Sequence, residues 1–299
     1  MATLRLAIIL IICLIFTVWS AFGGLVPIEE VFEPGGSFDP NKFGKVAVVQ
    51  WAPVATTPLG VTPAVAENFK VENRKALEVY IREAAAKGAR LIITSEFAVV
   101  GYPDIPELPS EEDNFRNRQD IEPYVEPVPG PSTQYFGDLA RELGIYLHVG
   151  FAEVEPETEH YYNTIVVLNP EGMIVARYRK INLYHLEQSF LEPGKDPVTY
   201  EGIFGKVGIT VCSDIYSARP MDQYKQAGVH AVALSTSWAQ WNTGMANFQR
   251  GARWINGYVL AANQPYFPDS GVINPDGSLQ SHIRQTLRGI AYGYLPYIN

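Results

Sequence analysis

Short apolar strands alternate with helical segments along most of this 299-residue chain, and this alternation limits the folds that it can adopt. The apolar run Lys45–Trp51 is followed by a helical pattern at Glu67–Lys87 and by a second apolar run at Arg90–Ser95. Runs of this length predict buried strands, and Gly88 predicts the end of the helix between them. A strand, a helix and a strand in this order form a parallel crossover. The sequence therefore predicts the α/β fold class.

The alternation continues through the second half of the chain. Two Asn-Pro-x-Gly segments, at 169–172 and 274–277, are typical of hairpin turns. Residues 101–131 are rich in proline and acids, which predicts a lid, a binding loop or an interface arm. Further strands are predicted at Ile145–Val154, Asn163–Leu168, Met173–Tyr178, Lys206–Val211, Val229–Leu234 and Val259–Ala262, and further helices at Ser132–Leu143, Pro220–Ala227 and Met245–Asn256.

Three segments follow from these patterns. Residues 1–26 form an apolar leader, and residues 27–44 lack periodicity and predict a linker. Residues 45–299 show no repeat of 20–50 residues and predict a single domain, which is long enough to bury a large core.

The leader predicts that the domain lies outside the cytoplasm. Arg5 precedes an apolar stretch at Leu6–Trp19, and Ala21–Gly23 fits a small-x-small cleavage site, as in a secretory signal peptide. No charge occurs from Leu6 to Ile28, a length that also spans a hydrocarbon core of ~30 Å, so residues 6–26 are alternatively a membrane anchor. Both forms place the domain as extracytoplasmic, either secreted or anchored. A core helix in a cytosolic protein is the third interpretation.

Charge and residue spacing exclude two classes of partner. The formal net charge is −9, whereas nucleic-acid binding needs a basic face, so no nucleic-acid partner is predicted. The sequence has no Cys-x-x-Cys, His-x-x-x-His or His-Glu-x-x-His pattern, so neither a metal nor another cofactor is predicted.

Cys212 is the only cysteine outside the leader, because the second one is Cys13. A single thiol in the domain cannot form an internal disulfide, and it serves either as a small apolar packing group or as a reagent. Glu96 and Lys180 favour the second role, because each also follows an apolar strand directly. The carboxyl ends of strands in open α/β sheets are where ligands bind. A carboxylate base, a cation that stabilises an oxyanion and a thiol nucleophile would form a compact reagent set there.

The sequence around these three residues resembles a known family. The blocks are Ile92-Ile-Thr-Ser-Glu96-Phe, Tyr178-Arg-Lys180-Ile-Asn-Leu183 and Gly208-Ile-Thr-Val-Cys212-Ser-Asp214, and they resemble the signature blocks of the nitrilase superfamily, the carbon–nitrogen hydrolases. The order and spacing of the blocks match, and the resemblance extends from Lys45 to about residue 280. It implies a single-domain, four-layer αββα sandwich and a Glu–Lys–Cys triad.

The resemblance also implies roles for individual residues. Glu96 would act as general base, Lys180 would stabilise the tetrahedral intermediate, and Cys212 would be the nucleophile. The backbone N–H of Ser213 would complete the oxyanion hole. Glu187 matches a second glutamate that many members carry after the lysine, although a solvent-facing loop acid is equally consistent with its position.

Two aromatic residues are candidates for the substrate pocket. Trp238 follows the strand where the family places a pocket residue, and plain core packing is its alternative role. Tyr102 follows the first block, where it would line the pocket or pack against the loop.

Departures from the family pattern favour an amidase-like branch. Ser213-Asp214 follows the cysteine, whereas true nitrilases tend to have Trp-Glu there. A small-molecule amide is therefore the predicted substrate, with nitriles and N-carbamoyl amines as alternatives. The leader and the second block are also similar to the pantetheinase and biotinidase branch, whose large extra C-terminal domain does not fit in the residues that remain. The resemblance further implies a homodimer or higher homo-oligomer, with the helix at 220–227 as a contact.

Three other functions stay open at the level of sequence. His185 is the only histidine near the reactive blocks and offers a histidine-based thiol hydrolase. An N-acyltransferase would use the same thioester with an amine acceptor. A catalytically silent, membrane-tethered binding module of the same fold is the third.

Overall fold

The computed structural model describes residues 28, 30–103, 114–238, 240 and 243–298. The predicted signal peptide or anchor at 1–26 and the acidic part of the loop, 104–113, lie outside these residues. Within the described part of the chain, no helix combines the length and apolar character that a membrane span requires.

Two sheets form the centre of the fold. The first has seven strands in the order β1-β13-β2-β3-β4-β5-β6, and the second has six in the order β12-β11-β10-β9-β8-β7. The strands are β1 Glu30–Phe32, β2 Phe43–Gln50, β3 Ala89–Ile93, β4 Tyr146–Glu155, β5 His160–Leu168, β6 Ile174–Arg179, β7 Thr199–Gly202, β8 Gly205–Val211, β9 Ala231–Ser235, β10 Tyr258–Ala262, β11 Ser270–Ile273, β12 Leu279–Ile283 and β13 Gly289–Pro296.

Helices cover the outer face of each sheet. Helices α1 (Pro63–Ala86) and α3 (Pro131–Leu143) pack on the first sheet, while α4 (Ala218–Gln226) and α5 (Gly244–Ile255) pack on the second. The short helix α2 (Arg118–Ile121) precedes α3 in the chain. The layer order is therefore helices, sheet, sheet, helices, as the αββα prediction requires.

The core between the sheets is apolar. Ile93 and Ile165 of the first sheet pack there against Ile209 and Leu260 of the second. The parallel strands β2, β3 and β4 are buried on both faces, because helices cover one side and the second sheet covers the other. This explains why these strands are continuous apolar runs in the sequence.

Parallel pairing brings several strand ends to one edge. Strands β2 and β3 run parallel in the first sheet, and β8, β9 and β10 run parallel in the second. The hydroxyl of Ser235, at the end of β9, donates a hydrogen bond of 2.7 Å to the carbonyl of Thr94, just after β3. The carboxyl ends of both parallel groups therefore meet, and the candidate site lies there.

The structure corrects four details of the prediction. Part of the expected linker is strand β1, which pairs in parallel with β13. Helix α3 begins at Pro131, one residue before its predicted start, with Gly130 as its N-cap, and the Thr133 hydroxyl accepts from the Gly130 N–H. Strands β7 and β13 were not predicted.

Both predicted hairpin turns are confirmed, because they join β5 to β6 and β11 to β12.

Candidate active site

The three predicted reagents converge at the shared edge of the sheets. The Nζ atom of Lys180 lies 2.9 Å from Oε1 of Glu96, and both side chains are buried. The backbone N–H of Ser237 donates to Oε2 of Glu96 at 2.8 Å, and the Sγ atom of Cys212 lies 3.9 Å from the carbonyl oxygen of the same Ser237. Ser237, which lies two residues after the end of β9, therefore contacts both the carboxylate and the thiol.

Backbone contacts with the second sheet fix the loop that carries Glu96. The Glu96 N–H donates to the carbonyl of Thr236 at 3.4 Å, and the Glu96 carbonyl accepts from Nε2 of Gln264 at 2.8 Å. The hydroxyl of Ser95 donates to the carbonyl of Trp51 at 2.6 Å. Ser95, the residue directly before Glu96, therefore anchors the loop to the end of β2 through its hydroxyl.

Glu187 is part of the buried centre and is not a solvent-facing loop acid. It begins a short 3₁₀ helix, Glu187–Ser189, and its Oε2 accepts from Nζ of Lys180 at 2.6 Å and from the backbone N–H of Tyr184 at 2.8 Å. Lys180 thus bridges two carboxylates. The alternative role that the sequence left equally open for Glu187 is wrong.

Asn163 also bridges both carboxylates, and the sequence did not single it out. Its Nδ2 atom lies 2.6 Å from Oε1 of Glu96 and 2.9 Å from Oε1 of Glu187. The residue lies opposite Lys180, whose backbone N–H donates to the Asn163 carbonyl at 2.8 Å. Its place in the segment Tyr162-Asn163-Thr164 was visible in the sequence, but the register across the β5–β6 hairpin was needed to show what it contacts.

Cys212 occupies a turn that exposes its thiol to this centre. It follows β8 directly and opens the 3₁₀ helix Cys212–Tyr216 with a φ of +47°, in the left-handed region that non-glycine residues seldom adopt. Such conformations cost on the order of 1–3 kcal/mol and persist where the surroundings hold them. Phe97, directly after Glu96, has the same φ of +47°. Both reagents therefore sit at sharp, held turns.

Asp214 holds the turn of Cys212 against the segment that follows Lys180. Its Oδ2 accepts from the hydroxyl of Tyr178 at 2.6 Å and from the N–H of Val211 at 3.0 Å. Its Oδ1 accepts from the N–H and the side-chain amide of Asn182 at 2.9 and 2.8 Å. Burial raises the pKa of this carboxyl, and these donors oppose the rise. The aspartate that distinguishes this chain from true nitrilases is thus a strut between two parts of the site.

Ser213 lies between the nucleophile and this strut. Its hydroxyl donates to the carbonyl of Asn182, and its own carbonyl accepts from the hydroxyl of Ser217 at 3.1 Å. These contacts leave the backbone N–H of Ser213, the predicted oxyanion donor, on the turn directly after Cys212.

The pKa shifts at the centre follow from burial and from charge. Burial raises the pKa of Glu96; Lys180 lowers it and Glu187 raises it further. Burial raises the pKa of the Cys212 thiol to about 12, reinforced by the charge of Glu96 and opposed by Lys180. Burial disfavours the charged form of Lys180, but Glu187 and Glu96 outweigh it and raise its pKa well above the ordinary value. The resting state therefore pairs a neutral thiol with a charged lysine.

The structure places the two aromatic candidates differently. Burial raises the pKa of Tyr102 well above its usual value, and the charges of Glu96, Glu187 and Cys212 and a hydrogen bond to Glu96 add to this rise. Tyr102 therefore lies at the centre. Trp238 belongs to the core under α5, and its Nε1 donates to Thr243 at 2.8 Å. Cys212 packs against the edge of that core, so Trp238 borders the site from the second sheet.

His185 does not join the centre. It is exposed, and its ring lies 4.2 Å from that of Tyr184. In the described ranges, no group of three or more His, Cys, Asp or Glu side chains is arranged to hold a metal ion.

Solved structures share this architecture. Nit3 from Saccharomyces cerevisiae superposes with a TM-score of 0.68 at 20% identity, over 85% of this chain and 90% of that one. The NitFhit protein of C. elegans superposes with a TM-score of 0.67 at 18% identity, over 85% and 61% of the two chains. These similarities confirm the predicted nitrilase-like αββα fold.

Sequence relatives agree with the fold. Omega-amidase NIT2 of Homo sapiens is 30% identical over 236 residues, which cover 71% of this chain and 79% of that protein. A nitrilase from Pyrococcus abyssi is 33% identical over 145 residues, or 48% and 50% of the two chains. Pantetheinase of Homo sapiens is 30% identical over 247 residues, or 70% and 46%.

The chain therefore spans about half the length of the last two relatives. The sequence model of carbon–nitrogen hydrolases matches residues 45–296, which is nearly all of the predicted domain. The chain belongs to the carbon–nitrogen hydrolase family.

Proposed function

We propose that this protein is an amidase that hydrolyses non-peptide C–N bonds of small molecules through a thioester on Cys212. One observation carries the proposal: a buried carboxylate, Glu96, contacts a buried ammonium, Lys180, and Ser237 contacts both this carboxylate and the free thiol of Cys212. Buried titratable groups with shifted pKa values that converge in this way are typical of active sites. The omega-amidase and pantetheinase relatives support an amide as the bond that is cleaved.

The first half-reaction acylates the thiol. Glu96 takes the proton of Cys212, and the sulfur attacks the carbonyl carbon of the amide. Because the pKa of the thiol is about 12 in the resting site, a nearby base is required at neutral pH, and the raised pKa of Glu96 suits that role. The oxyanion that forms lies against Lys180 and the Ser213 N–H. Glu96 then returns the proton to the leaving nitrogen, the C–N bond breaks, and ammonia or an amine departs.

The second half-reaction hydrolyses the thioester. Glu96 takes a proton from water, the hydroxide attacks the acyl carbon, and Lys180 again stabilises the oxyanion. The C–S bond breaks, the acid departs and the proton returns to Cys212. Glu187 keeps Lys180 protonated throughout, because its carboxylate lies 2.6 Å from Nζ.

The residues after Cys212 support amides over nitriles in this proposal, because true nitrilases tend to have Trp-Glu where this chain has Ser213-Asp214. The turn itself is held by hydrogen bonds from Tyr178 and Asn182 to Asp214. The homodimer, the membrane tether and the extracytoplasmic location stay predictions.

Intact-protein mass spectrometry tests the mechanism and the bond type together. The purified protein and Cys212→Ala are incubated with separate panels of amides, N-carbamoyl amines and nitriles, and ammonia release is followed in the same samples. We expect an acyl adduct and ammonia from an amide with the wild type, and neither with the variant. Turnover by a folded Cys212→Ala would contradict the thiol mechanism.

The same panel separates the alternatives. Adducts formed only from nitriles or only from carbamoyl amines would change the bond type. An adduct that releases its acyl group only when an amine is supplied would indicate an N-acyltransferase. A folded wild type that gives no adduct with any panel would favour a binding module.

A further inference from the structure

Asn163 is a fully buried polar residue inside the candidate site. It lies on β5, next to the first residue beyond the partner strand β6, and its backbone carbonyl accepts from the N–H of Lys180. An asparagine in the middle of a strand has a low intrinsic preference for that conformation, and its buried amide must find hydrogen-bond partners. Its position therefore needs an explanation in terms of contacts.

The side-chain amide of Asn163 makes two contacts, and both are to carboxylates. Nδ2 donates one hydrogen to Oε1 of Glu96 at 2.6 Å and the other to Oε1 of Glu187 at 2.9 Å. These two hydrogens are the full donor capacity of the group. Lys180 makes the same pair of contacts from its own strand end, at 2.9 and 2.6 Å. The two carboxylates are thus held by one charged bridge and one neutral bridge.

The two oxygens of Glu96 have different hydrogen-bond partners. Oε1 accepts from both Lys180 and Asn163. Oε2 accepts from the backbone N–H of Ser237, the residue whose carbonyl oxygen is contacted by the Cys212 sulfur. An oxygen with two donors is a poor proton acceptor, because both lone-pair directions are occupied. Oε2 shares a contact residue, Ser237, with the Cys212 thiol and is therefore the better placed oxygen for the proton transfer.

We propose that Asn163 is a positioning residue that holds Glu96 and Glu187 together and directs the Oε2 atom of Glu96 toward the Cys212 thiol. This inference rests on the proposed function, because it assumes that Glu96 exchanges the proton of Cys212. Asn163 itself does not touch the reacting atoms. Its donors stabilise the ionised form of Glu96, which burial and the charge of Glu187 disfavour.

The charged and titratable groups around Glu96 come from four segments. Lys180 follows β6, Glu187 opens its 3₁₀ helix, Cys212 follows β8, and Tyr102 belongs to the loop after β3. Lys180 is the only cation among them. When the amide donors of Asn163 are removed, the ionised form of Glu96 loses a hydrogen bond and the acidic limb of kcat/KM should move to higher pH.

Two variants test the proposal. Asn163→Ala removes both donors, and we expect kcat/KM to fall about tenfold to a hundredfold, as for a hydrogen bond to a charged group. The acidic limb of the pH profile should rise by about one pH unit. Asn163→Asp keeps the shape of the side chain but adds a third carboxylate, so its acidic limb should rise further and its kcat should fall more.

Thr164→Val is the matched control. Thr164 is the next residue on β5, is equally buried, and donates a 2.6 Å hydrogen bond to Glu153 away from the site. We expect this variant to lose stability without any movement of the acidic limb. Thermal unfolding of all three variants shows which of them retain the fold.

Acylation of Cys212, measured by mass spectrometry in every sample, separates a failure of the proposed function from a failure of the role assigned to Asn163. A wild type without an adduct would overturn the proposed function itself. A wild type with an adduct, together with folded Asn163 variants whose acidic limb coincides with that of Thr164→Val, would overturn only the role of Asn163.

Discussion

Opposite faces of the β5–β6 hairpin carry two clusters of closely similar composition. The inner cluster, which faces the second sheet, comprises Glu96, Glu187, Lys180 and Asn163. The outer cluster comprises Glu153, Glu155, Arg179 and Thr164. Each has two glutamates, a cation and a neutral donor, and adjacent residues of the β5–β6 hairpin supply these two groups in both clusters: Lys180 and Asn163 inside, Arg179 and Thr164 outside.

The clusters differ in solvent access and in the kind of cation. In the inner cluster both glutamates and the lysine are almost completely buried, whereas 26% of the Glu155 side chain and 17% of the Arg179 side chain are exposed. A second cation, Arg177, lies 3.5 Å from Glu153. Burial raises the pKa of Glu96, while hydrogen bonds from Thr158 and Arg179 lower the pKa of Glu155.

This difference indicates why the inner cluster, and not the outer one, is suited to catalysis. The outer cluster pairs its two carboxylates with two arginines, and Glu155 and Arg179 reach solvent although Glu153 is buried, so we assign it a structural role. The inner cluster holds one cation for two buried carboxylates and lies beside a thiol, so its protons are poised to move. The same residue types therefore become reactive where they are buried with one cation and lie near a thiol.

Exchanging the cations should give the largest contrast. Lys180→Arg replaces a compact ammonium by a planar guanidinium that cannot present the same point charge to the oxyanion, and we expect kcat to fall by about 10²–10³. Arg179→Lys should leave kcat within about twofold and lower only the thermal midpoint. Steady-state kinetics on both variants checks this; equal losses of kcat would contradict the assignment of the two faces.

Removing one carboxylate from each cluster should give the next contrast. Glu187→Gln takes away the closer of the two anions that hold Lys180 charged, and we expect kcat to fall by about 10²-fold. Glu155→Gln removes a partly exposed anion and should change kcat by less than about twofold. Normal turnover in Glu187→Gln would reduce Glu187 to a structural loop residue.

Stability should respond to pH in opposite senses at the two faces. The folded pKa of Glu96 is raised, so its stabilising contribution is present below the unfolded pKa and is lost as pH rises through the folded value. Glu96→Gln never ionises and should unfold about 2–4 °C above the wild type once that window is passed, while losing activity. Glu155→Gln should instead be less stable than the wild type above the unfolded pKa of that carboxyl, because its folded pKa is lowered. Scanning calorimetry across pH 4–8 measures both; a Glu96→Gln advantage that shrinks with rising pH would contradict the first expectation.

The smallest effect is expected at the exposed histidine. His185→Ala removes a ring that contacts Tyr184 at the surface and no member of the inner cluster, so kcat should change by less than about twofold. A loss comparable to that of Glu187→Gln would reinstate a histidine-based mechanism.

The sequence predicted the fold and the positions of the reagents because both depend on local patterns of residues. Apolar runs predicted strands β3, β6 and β8, and Glu96, Lys180 and Cys212 follow the ends of these strands. The carboxyl ends of the parallel strands β3 and β8 meet at one edge, and β6, although antiparallel to β5, also ends there. Glu187 could be named but not placed, because its burial depends on a short 3₁₀ helix in a loop.

The remaining features depend on pairing that no local pattern contains. Asn163 and Thr164 are adjacent polar residues, and only the register of β5 against its neighbours assigns one to each cluster. Strand β1 is three residues long and lies in a segment rich in proline, glycine and acids. Its conformation is set by tertiary pairing with β13, which overrides weak local preference.

The pairing of β1 with β13 decides where the chain enters the first sheet. Glu30 lies opposite Gly289, and Gly289 lies opposite Gln50, so β1 starts at the edge of the sheet where β2 ends and from which the chain reaches Glu96. The chain therefore enters the first sheet at the same edge at which the candidate site lies.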